Sequence, residues 1–314
     1  MKTTTLLFLT LAWMLALGTG CDPGEQADGD DPIEFRTTAG VWLNTSSLGL
    51  ATLSGIDLTG EVLDGTTLTS VLLQRPGDVW LAVDQLEIAS GHLQGRVGET
   101  YYTGTDLVGS RWQLSPAEGE PYEIWISGYS EISATEARYT FQALDAHGDT
   151  VHVCAPDASG QHAGYPLADI LVDHATGAMT ARPNTLYIAC ISGAIGKAVT
   201  WGYSPVSLAL DEFTTVVRMI RADYCFDGAS WTTAGTGVQI KDKWNIDAFL
   251  YSSYMTEAVW TATGVACLSH PRWSEVLVGE VTCNGQPLPT CPGNVSMTTY
   301  PQTLLWTKRG SPGI

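Results

Sequence analysis

Seven cysteines restrict the ways in which this chain can fold. One of them, Cys21, stands alone near the N-terminus, and the other six are Cys154, Cys190, Cys225, Cys267, Cys283 and Cys291. If Cys21 is set apart, an even set remains, which is compatible with three disulfides in an oxidising compartment. The chain is therefore predicted to be exported and held together by disulfides.

Residues 1–21 have the features of an export signal. Lys2 supplies a positive charge, and an uncharged apolar run from Leu6 to Leu17 follows it. This run is shorter than the roughly 20 residues that a membrane-spanning helix needs. The segment resembles a bacterial lipoprotein signal, so Cys21 is the predicted lipidation site and the protein is expected to be membrane-anchored, facing the periplasm or the cell surface. Ordinary cleavage after Gly20 is the alternative.

Residues 22–32 are predicted to be an acidic, disordered tether. The segment contains five carboxylates and two prolines, and low hydrophobicity with high charge keeps such a segment solvated. It lacks the calcium-loop pattern that ends in Glu. The whole chain has a formal net charge of −18, which argues against nucleic acid as a partner because that affinity rests on basic contacts with phosphates.

Most of the remaining chain is predicted to form strands. It has 33 glycines but only 15 Lys and Arg residues, which favours strands and turns over long charged helices. Alternating or apolar runs predict strands at residues 80–83, 86–88, 122–126, 138–144, 150–153, 170–172 and 184–190. Short helices are predicted at 192–201, with Ser192 as its cap, and at 208–222. The predicted fold class is mainly β with two short helices, a disulfide-stabilised β-rich α+β fold with many glycine turns.

Leucines recur every five residues near the start of this region, at Leu48, Leu53, Leu58, Leu63, Leu68 and Leu73. A period of five matches neither a helix nor a simple strand. We interpret the segment as a short β-rich module with glycine turns, and a coil of a pentapeptide-repeat solenoid is the alternative. The chain then divides into a β-rich part at 33–153, a second part at 154–291 and a C-terminal tail at 292–314.

The most recognisable pattern is the run Ala222, Asp223, Tyr224 and Cys225, which Arg218 and Arg221 precede. Together with the segments 190–197 and 201–203, this run resembles the ADYC domain, a bacterial family named after these four residues. The resemblance covers about residues 100–291 and implies an exported protein, often a lipoprotein, without an assigned activity. Two cysteines of the family pattern are absent here, because Ala198 and the stretch 214–217 occupy their places, and this implies apolar packing between the two helices.

Three residues of the run can be assigned a structural role. Asp223 can accept backbone hydrogen bonds or pair with Arg218 or Arg221, and Tyr224 offers an apolar ring with a polar end. Cys225, at a helix end, can tether that helix to a later strand. We expect the disulfides Cys225–Cys267, Cys283–Cys291 and Cys154–Cys190.

The sequence contains no recognisable catalytic motif. The segment from Gly193 to Lys197 has too few residues between its glycines for a phosphate-binding loop, and Ala198 follows the lysine. The six histidines lack metal-ligand spacing, so neither a metal nor a cofactor is predicted. We expect a lipid-anchored envelope protein that binds or scaffolds, with an envelope glycan or a protein as its partner. The alternative is an envelope hydrolase that combines Asp223 with a histidine and a serine distant in sequence.

Overall fold

The computed structural model describes residues 42–46, 55–60, 66–116, 120–232, 236–247, 254–273, 278–293, 295 and 300–310. The predicted signal peptide and tether lie outside the described residues, as do Cys21, Leu48, Leu53 and Leu63. The described part is rich in strands and contains two short α-helices and three disulfides. The predicted fold class is confirmed.

One sheet dominates the part of the chain before residue 191. The strands of this part are β1 (Ile56–Asp57), β2 (Thr66–Arg75), β3 (Val79–Ala82), β4 (Gln85–Ala89), β5 (His92–Val97), β6 (Thr100–Thr103), β7 (Arg111–Pro116), β8 (Tyr122–Ser133), β9 (Glu136–Leu144), β10 (Thr150–His152), β11 (Gly164–Val172) and β12 (Met179–Cys190). Nine of them form a sheet of order β1-β12-β11-β9-β8-β7-β2-β3, with β10 paired to β9. The other three, β4 to β6, form a small antiparallel sheet.

The large sheet closes on itself through its shortest strand, β1. Ile56 pairs antiparallel with Leu186 of β12 and parallel with Thr66 of β2. Closure satisfies backbone groups that an open sheet would leave at its edges. The enclosed space is filled by apolar side chains, among them Trp112 and Phe141, whose rings meet edge to face with centroids 5.6 Å apart.

The C-terminal half of β12 is buried on both faces. Leu186, Ile188 and Cys190 belong to the core inside the closed sheet, whereas Tyr187 and Ala189 belong to a second core on its outer side. Burial on both faces accounts for the unbroken apolar run in this strand. The second core is completed by the helices and by strands from the end of the chain.

Two helices follow β12, and both begin later than predicted. They are α1 (Ala194–Thr200) and α2 (Leu210–Arg221). Ser192 is not the cap of α1, because Gly193 occupies that position and the Ser192 hydroxyl donates instead to the Ala155 carbonyl at 2.8 Å.

The last strands are β13 (Val238–Asp242), β14 (Met255–Thr261), β15 (Gly264–Leu268), β16 (Thr282–Cys283), β17 (Gln286–Pro287) and β18 (Leu305–Arg309). Four of them form a sheet of order β13-β18-β14-β15, and β16 and β17 form a small hairpin. The four-stranded sheet contributes Ile240, Ala258 and Trp260 to the second core.

Strand β2 shows how leucines five residues apart can share one face. Leu68 and Leu73 are both buried inside the closed sheet, although a regular strand would place them on opposite sides. The pairing of β2 with β7 shifts register between Leu68 and Ser70, and the extra residue of a bulge reverses the alternation. The described part of the leucine repeat therefore belongs to an ordinary sheet and not to a solenoid coil.

The disulfides join Cys154 to Cys190, Cys225 to Cys283, and Cys267 to Cys291. The first is an expected pair, but the expected pairs Cys225–Cys267 and Cys283–Cys291 are wrong. The Leu268 N–H donates to the Pro289 carbonyl at 2.8 Å, so the segment that carries Cys291 runs beside β15. The β16–β17 hairpin thus places Cys283 next to Cys225 at the end of α2, and these two pair, although Cys291 is nearer to Cys283 in sequence.

The division expected at residues 153 and 154 does not coincide with a break in the sheet. Strand β12 pairs with β1 and strand β11 pairs with β9, so strands from both sides of the division complete one closed sheet. Across the described ranges, no helix is long and apolar enough to cross a membrane.

Candidate functional site

Residues 222–225 form the turn that ends α2. Ala222 adopts the left-handed conformation, with φ of 53°, which is a common way for a helix to stop. Its N–H donates to the Met219 carbonyl at 3.0 Å, and the Asp223 N–H donates to the Arg218 carbonyl at 2.9 Å. The run is therefore a helix cap that satisfies two of the carbonyls in the last turn of α2, those of Arg218 and Met219.

The Asp223 carboxylate is fully buried and bonded to its own segment. Oδ2 accepts from Nη1 of Arg218 at 2.8 Å and from the Gly228 N–H at 3.0 Å, and Oδ1 accepts from the Asp227 N–H at 3.1 Å. Burial raises the pKa of Asp223 to about 6, against the lowering effect of Arg218 and Arg221. This carboxylate closes the turn from residue 223 to residue 228.

Tyr224 connects the end of α2 to the four-stranded sheet. Its hydroxyl donates to Oε1 of Glu257 at 2.8 Å and accepts from the Arg272 N–H at 2.7 Å. Arg272 pairs with Glu257 at 2.9 Å and donates to the Ile220 carbonyl at 2.8 Å. Burial and then the charge of Glu257 raise the pKa of Tyr224 well above its usual value, so the phenol stays protonated.

We call Arg218, Asp223, Tyr224, Glu257 and Arg272 the motif network. All five side chains are buried. The Tyr224 ring stacks on Trp260 with centroids 5.5 Å apart, and the disulfide of Cys225 holds the same turn to the β16–β17 hairpin. These contacts explain the four-residue run as a structural element that joins α2 to two later segments.

Among the described residues, the hydrogen-bond partners of the Asp223 carboxylate include neither a histidine nor a serine. His152 and His162 lie elsewhere, stacked on each other with ring centroids 4.1 Å apart. His174 is buried beside Tyr187, and burial lowers the pKa of this histidine to about 4. Where the structure describes the chain, no cluster of three or more His, Cys, Asp or Glu residues could hold a metal ion.

A cavity of about 420 Å³ lies on the outer side of the closed sheet. Its walls combine the apolar Leu167 and Val206 with the polar Glu136, Asp169 and Ser204. Burial raises the pKa of Glu136, against the lowering effect of Arg138. The cavity therefore offers apolar contact together with hydrogen-bonding groups, as small-molecule sites do.

A second cavity of about 390 Å³ lies next to the first. We call it the Arg138 cavity, and its lining is Tyr129, Ser130, Ile132, Arg138, Thr140, His152, Gln161, His162 and Ala163. Nε of Arg138 donates to the Tyr165 hydroxyl at 2.7 Å, and Tyr165 lines the larger cavity, so this pair separates the two.

Neither cavity was predicted from the sequence. The signal was present in β9, where the half-buried Glu136, Arg138 and Thr140 alternate with buried residues. Such alternation predicts a polar outer face, but it does not indicate which elements wall that face.

The sequence matches the family model of the ADYC domain over residues 104–274. This range contains the motif network and every residue that lines the Arg138 cavity. No curated protein and no solved structure matches the chain.

Proposed function

The chain belongs to the ADYC domain family, and from that premise we propose that it is an exported binding or scaffold protein of the bacterial cell envelope. One contrast supports a binding role over catalysis at the motif. The ionisable side chains of the motif network are buried and bonded to one another, whereas the two cavities beside β9 are open and lined by polar groups.

The disulfides support export and leave Cys21 as the candidate for lipid attachment. Three bridges use six of the seven cysteines, and such bonds form and persist in oxidising compartments. Cys21 then has no cysteine left in this chain to pair with. An acylated cysteine at the mature N-terminus accounts for it, and the lipid would hold the protein to the membrane.

Metabolic labelling with radioactive palmitate tests the anchor. The wild-type chain and the control variant Thr19→Ser should incorporate label and sediment with membranes, since both keep Cys21. The variant Cys21→Ser should lose the label and move to the soluble fraction. Unlabelled wild-type protein would contradict the lipid anchor and favour ordinary cleavage after Gly20.

A thermal-unfolding screen of the full, disulfide-bonded protein tests the binding role. The panel contains envelope glycans, peptidoglycan fragments, calcium and zinc. A ligand at 100 times its dissociation constant stabilises a native protein by about 2.7 kcal/mol, so stabilisation by one chemical class would support the proposal. Release of products from a stabilising glycan would contradict it and favour the hydrolase. If no compound stabilises the protein, this would argue against a small ligand. Crosslinking in the intact envelope would then test for a protein partner.

A further inference from the structure

Among the described residues, the lining of the Arg138 cavity contains no Asp or Glu, although the chain has a net charge of −18. Its polar lining consists of a guanidinium, an amide, hydroxyls and two imidazoles, supplied by Arg138, Gln161, Tyr129, Ser130, Thr140, His152 and His162. Hydrogen bonds from a charged donor to an oxyanion are stronger than those between neutral groups. This lining therefore favours a ligand that carries negative charge.

The guanidinium of Arg138 is held in position before any ligand arrives. Its Nε donates to the Tyr165 hydroxyl at 2.7 Å, and its Cζ lies 5.1 Å from the centroid of the Tyr165 ring. Tyr165 is itself 2% exposed. Within the described ranges, no hydrogen bond or ion pair occupies the two Nη nitrogens of Arg138. A positioned guanidinium with both Nη nitrogens available can bind an oxyanion with two parallel hydrogen bonds.

The charge of Arg138 acts on two nearby carboxylates, Asp157 and Glu136, but within the described ranges neither forms an ion pair with it. Oδ1 of Asp157 accepts from the Ser159 hydroxyl at 2.7 Å and from the Gln161 N–H at 2.9 Å. Glu136 lines the larger cavity, and burial, followed by the charge of the nearby Glu131, raises the pKa of Tyr129. These groups moderate the positive charge of the Arg138 cavity without occupying it.

His162 adds an imidazole of defined orientation to the lining of the cavity. Its Nδ1 lies 2.8 Å from the Cys154 carbonyl, so Nδ1 carries the proton of the neutral ring. The ring stacks on His152 with centroids 4.1 Å apart. Burial, and then the charge of His162, lower the pKa of His152.

We propose that the Arg138 cavity binds the oxyanion of a small envelope ligand, a carboxylate or a phosphate group, with Arg138 as the main donor. This assignment rests on the proposed binding function and names the ligand chemistry of one of its two cavities. The volume of the Arg138 cavity, about 390 Å³, lies within the range of small-molecule sites, roughly 300–1,000 Å³.

Titration calorimetry tests the assignment with three probes: inorganic phosphate, D-glucuronate and the neutral D-glucose. The proteins are wild type, Arg138→Gln and Arg111→Gln, measured near pH 5.5 at an ionic strength of about 0.15 M. Arg111 is the matched control, because its guanidinium also lies over an aromatic ring, 5.6 Å from the centroid of Trp80, and does not line this cavity.

We expect wild type to bind at least one of the two anions, and glucose to give no heat. Arg138→Gln should weaken anion binding by at least about tenfold, from the loss of charged hydrogen bonds, while Arg111→Gln should bind like wild type. Binding of phosphate alone would assign a phosphorylated ligand, and binding of glucuronate alone a carboxylated sugar. Failure of both anions, or equal binding by wild type and Arg138→Gln, would overturn the assignment.

Ionic strength gives a second test that does not require the Arg138 variant to fold. Salt screens the attraction between a guanidinium and an oxyanion, so the affinity of wild type for the bound anion should fall as ionic strength rises from about 0.05 M to about 0.5 M. An affinity that stays the same over this range would count against the assignment. If a neutral glycan stabilises wild type and Arg138→Gln equally, the binding function stands and the oxyanion assignment falls.

Discussion

The hydroxyl of Tyr224 lies 2.8 Å from Oε1 of Glu257, which is on a strand 33 residues later in the chain. This hydrogen bond joins the cap of α2 to the four-stranded sheet, and Arg272 reinforces it from a third segment. The second core therefore depends on a few polar contacts as well as on its apolar side chains.

Removal of the Tyr224 hydroxyl tests this dependence. Tyr224→Phe should lower the free energy of unfolding by about 1–3 kcal/mol, because the buried Arg272 N–H loses its acceptor. The ring and its stacking on Trp260 are retained. Urea denaturation measures the change, and Tyr101→Phe, at a side chain that is 55% exposed, should be neutral. Equal stability of Tyr224→Phe and wild type would show that the network is not needed.

The buried ion pair between Arg218 and Asp223 should show strong coupling. Arg218→Met or Asp223→Asn alone should each destabilise the protein by about 3–5 kcal/mol, because the partner group remains buried without its counter-ion. The double variant should lose less than the sum of the two, by about 0.5–3 kcal/mol.

The exposed pair Arg75 and Asp106, at 3.3 Å, is the matched control for that cycle. Arg75→Met and Asp106→Asn should show a coupling below about 1 kcal/mol, because solvent screens the pair. Both cycles are measured by chemical denaturation near neutral pH. Purely additive effects at Arg218 and Asp223 would contradict the buried pair.

Gly196 should not tolerate a methyl group. A Cβ at this position would lie 2.1 Å from the Cys190 carbonyl oxygen and 2.8 Å from the Ile191 Cα, so backbone would have to move. Gly196→Ala should therefore destabilise by about 1–3 kcal/mol, although alanine favours a helix over glycine by about 1 kcal/mol. Gly279→Ala is the control, because nothing lies within 4 Å of its added Cβ. Stabilisation by Gly196→Ala would refute the close approach of α1 to β12.

His174 should make stability fall in acid. Its pKa in the folded protein is about 4, below the unfolded value of about 6.5. Its contribution to stability is therefore complete above about pH 6.5 and is lost as pH falls toward 4, because only the unfolded chain gains the proton. The total loss is on the order of 3 kcal/mol.

The variant His174→Phe isolates this contribution, because it removes the titration and keeps an aromatic ring beside Tyr187. Its stability relative to wild type should rise as pH falls from about 6.5 to 4. The comparison is needed because the raised pKa of Asp223 acts in the opposite direction over the same range. His147→Gln, in an exposed turn, should follow the wild-type pH profile. A constant difference between His174→Phe and wild type would disprove the burial effect.

Local patterns predicted the elements of this fold well. The spacing of Phe213, Val216, Val217 and Ile220 predicted α2, and these residues are buried along its length. Arg218, one of the two arginines expected to pair with Asp223, is found at 2.8 Å because the two lie only five residues apart, across a helix end. Interactions of this kind can be predicted because both partners lie within a few residues of each other in the sequence.

The contacts between distant segments could not be predicted from local sequence patterns. Cys283 and Cys291 were expected to pair because they are close in sequence, but the β16–β17 hairpin directs Cys283 to Cys225. The leucine repeat was ambiguous because the bulge that places Leu68 and Leu73 on one face depends on the pairing of β2 with β7.

The sequence by itself determined the β-rich class, α2, the even set of cysteines and the family motif, since each depends on residue type and short-range spacing. Tertiary structure alone decided the closure of the sheet through Ile56, the disulfide partners and the two cavities on either side of Arg138 and Tyr165. These features arise where strands far apart in sequence are brought together, and the free energy that selects such pairings is distributed over both cores rather than encoded in any single segment.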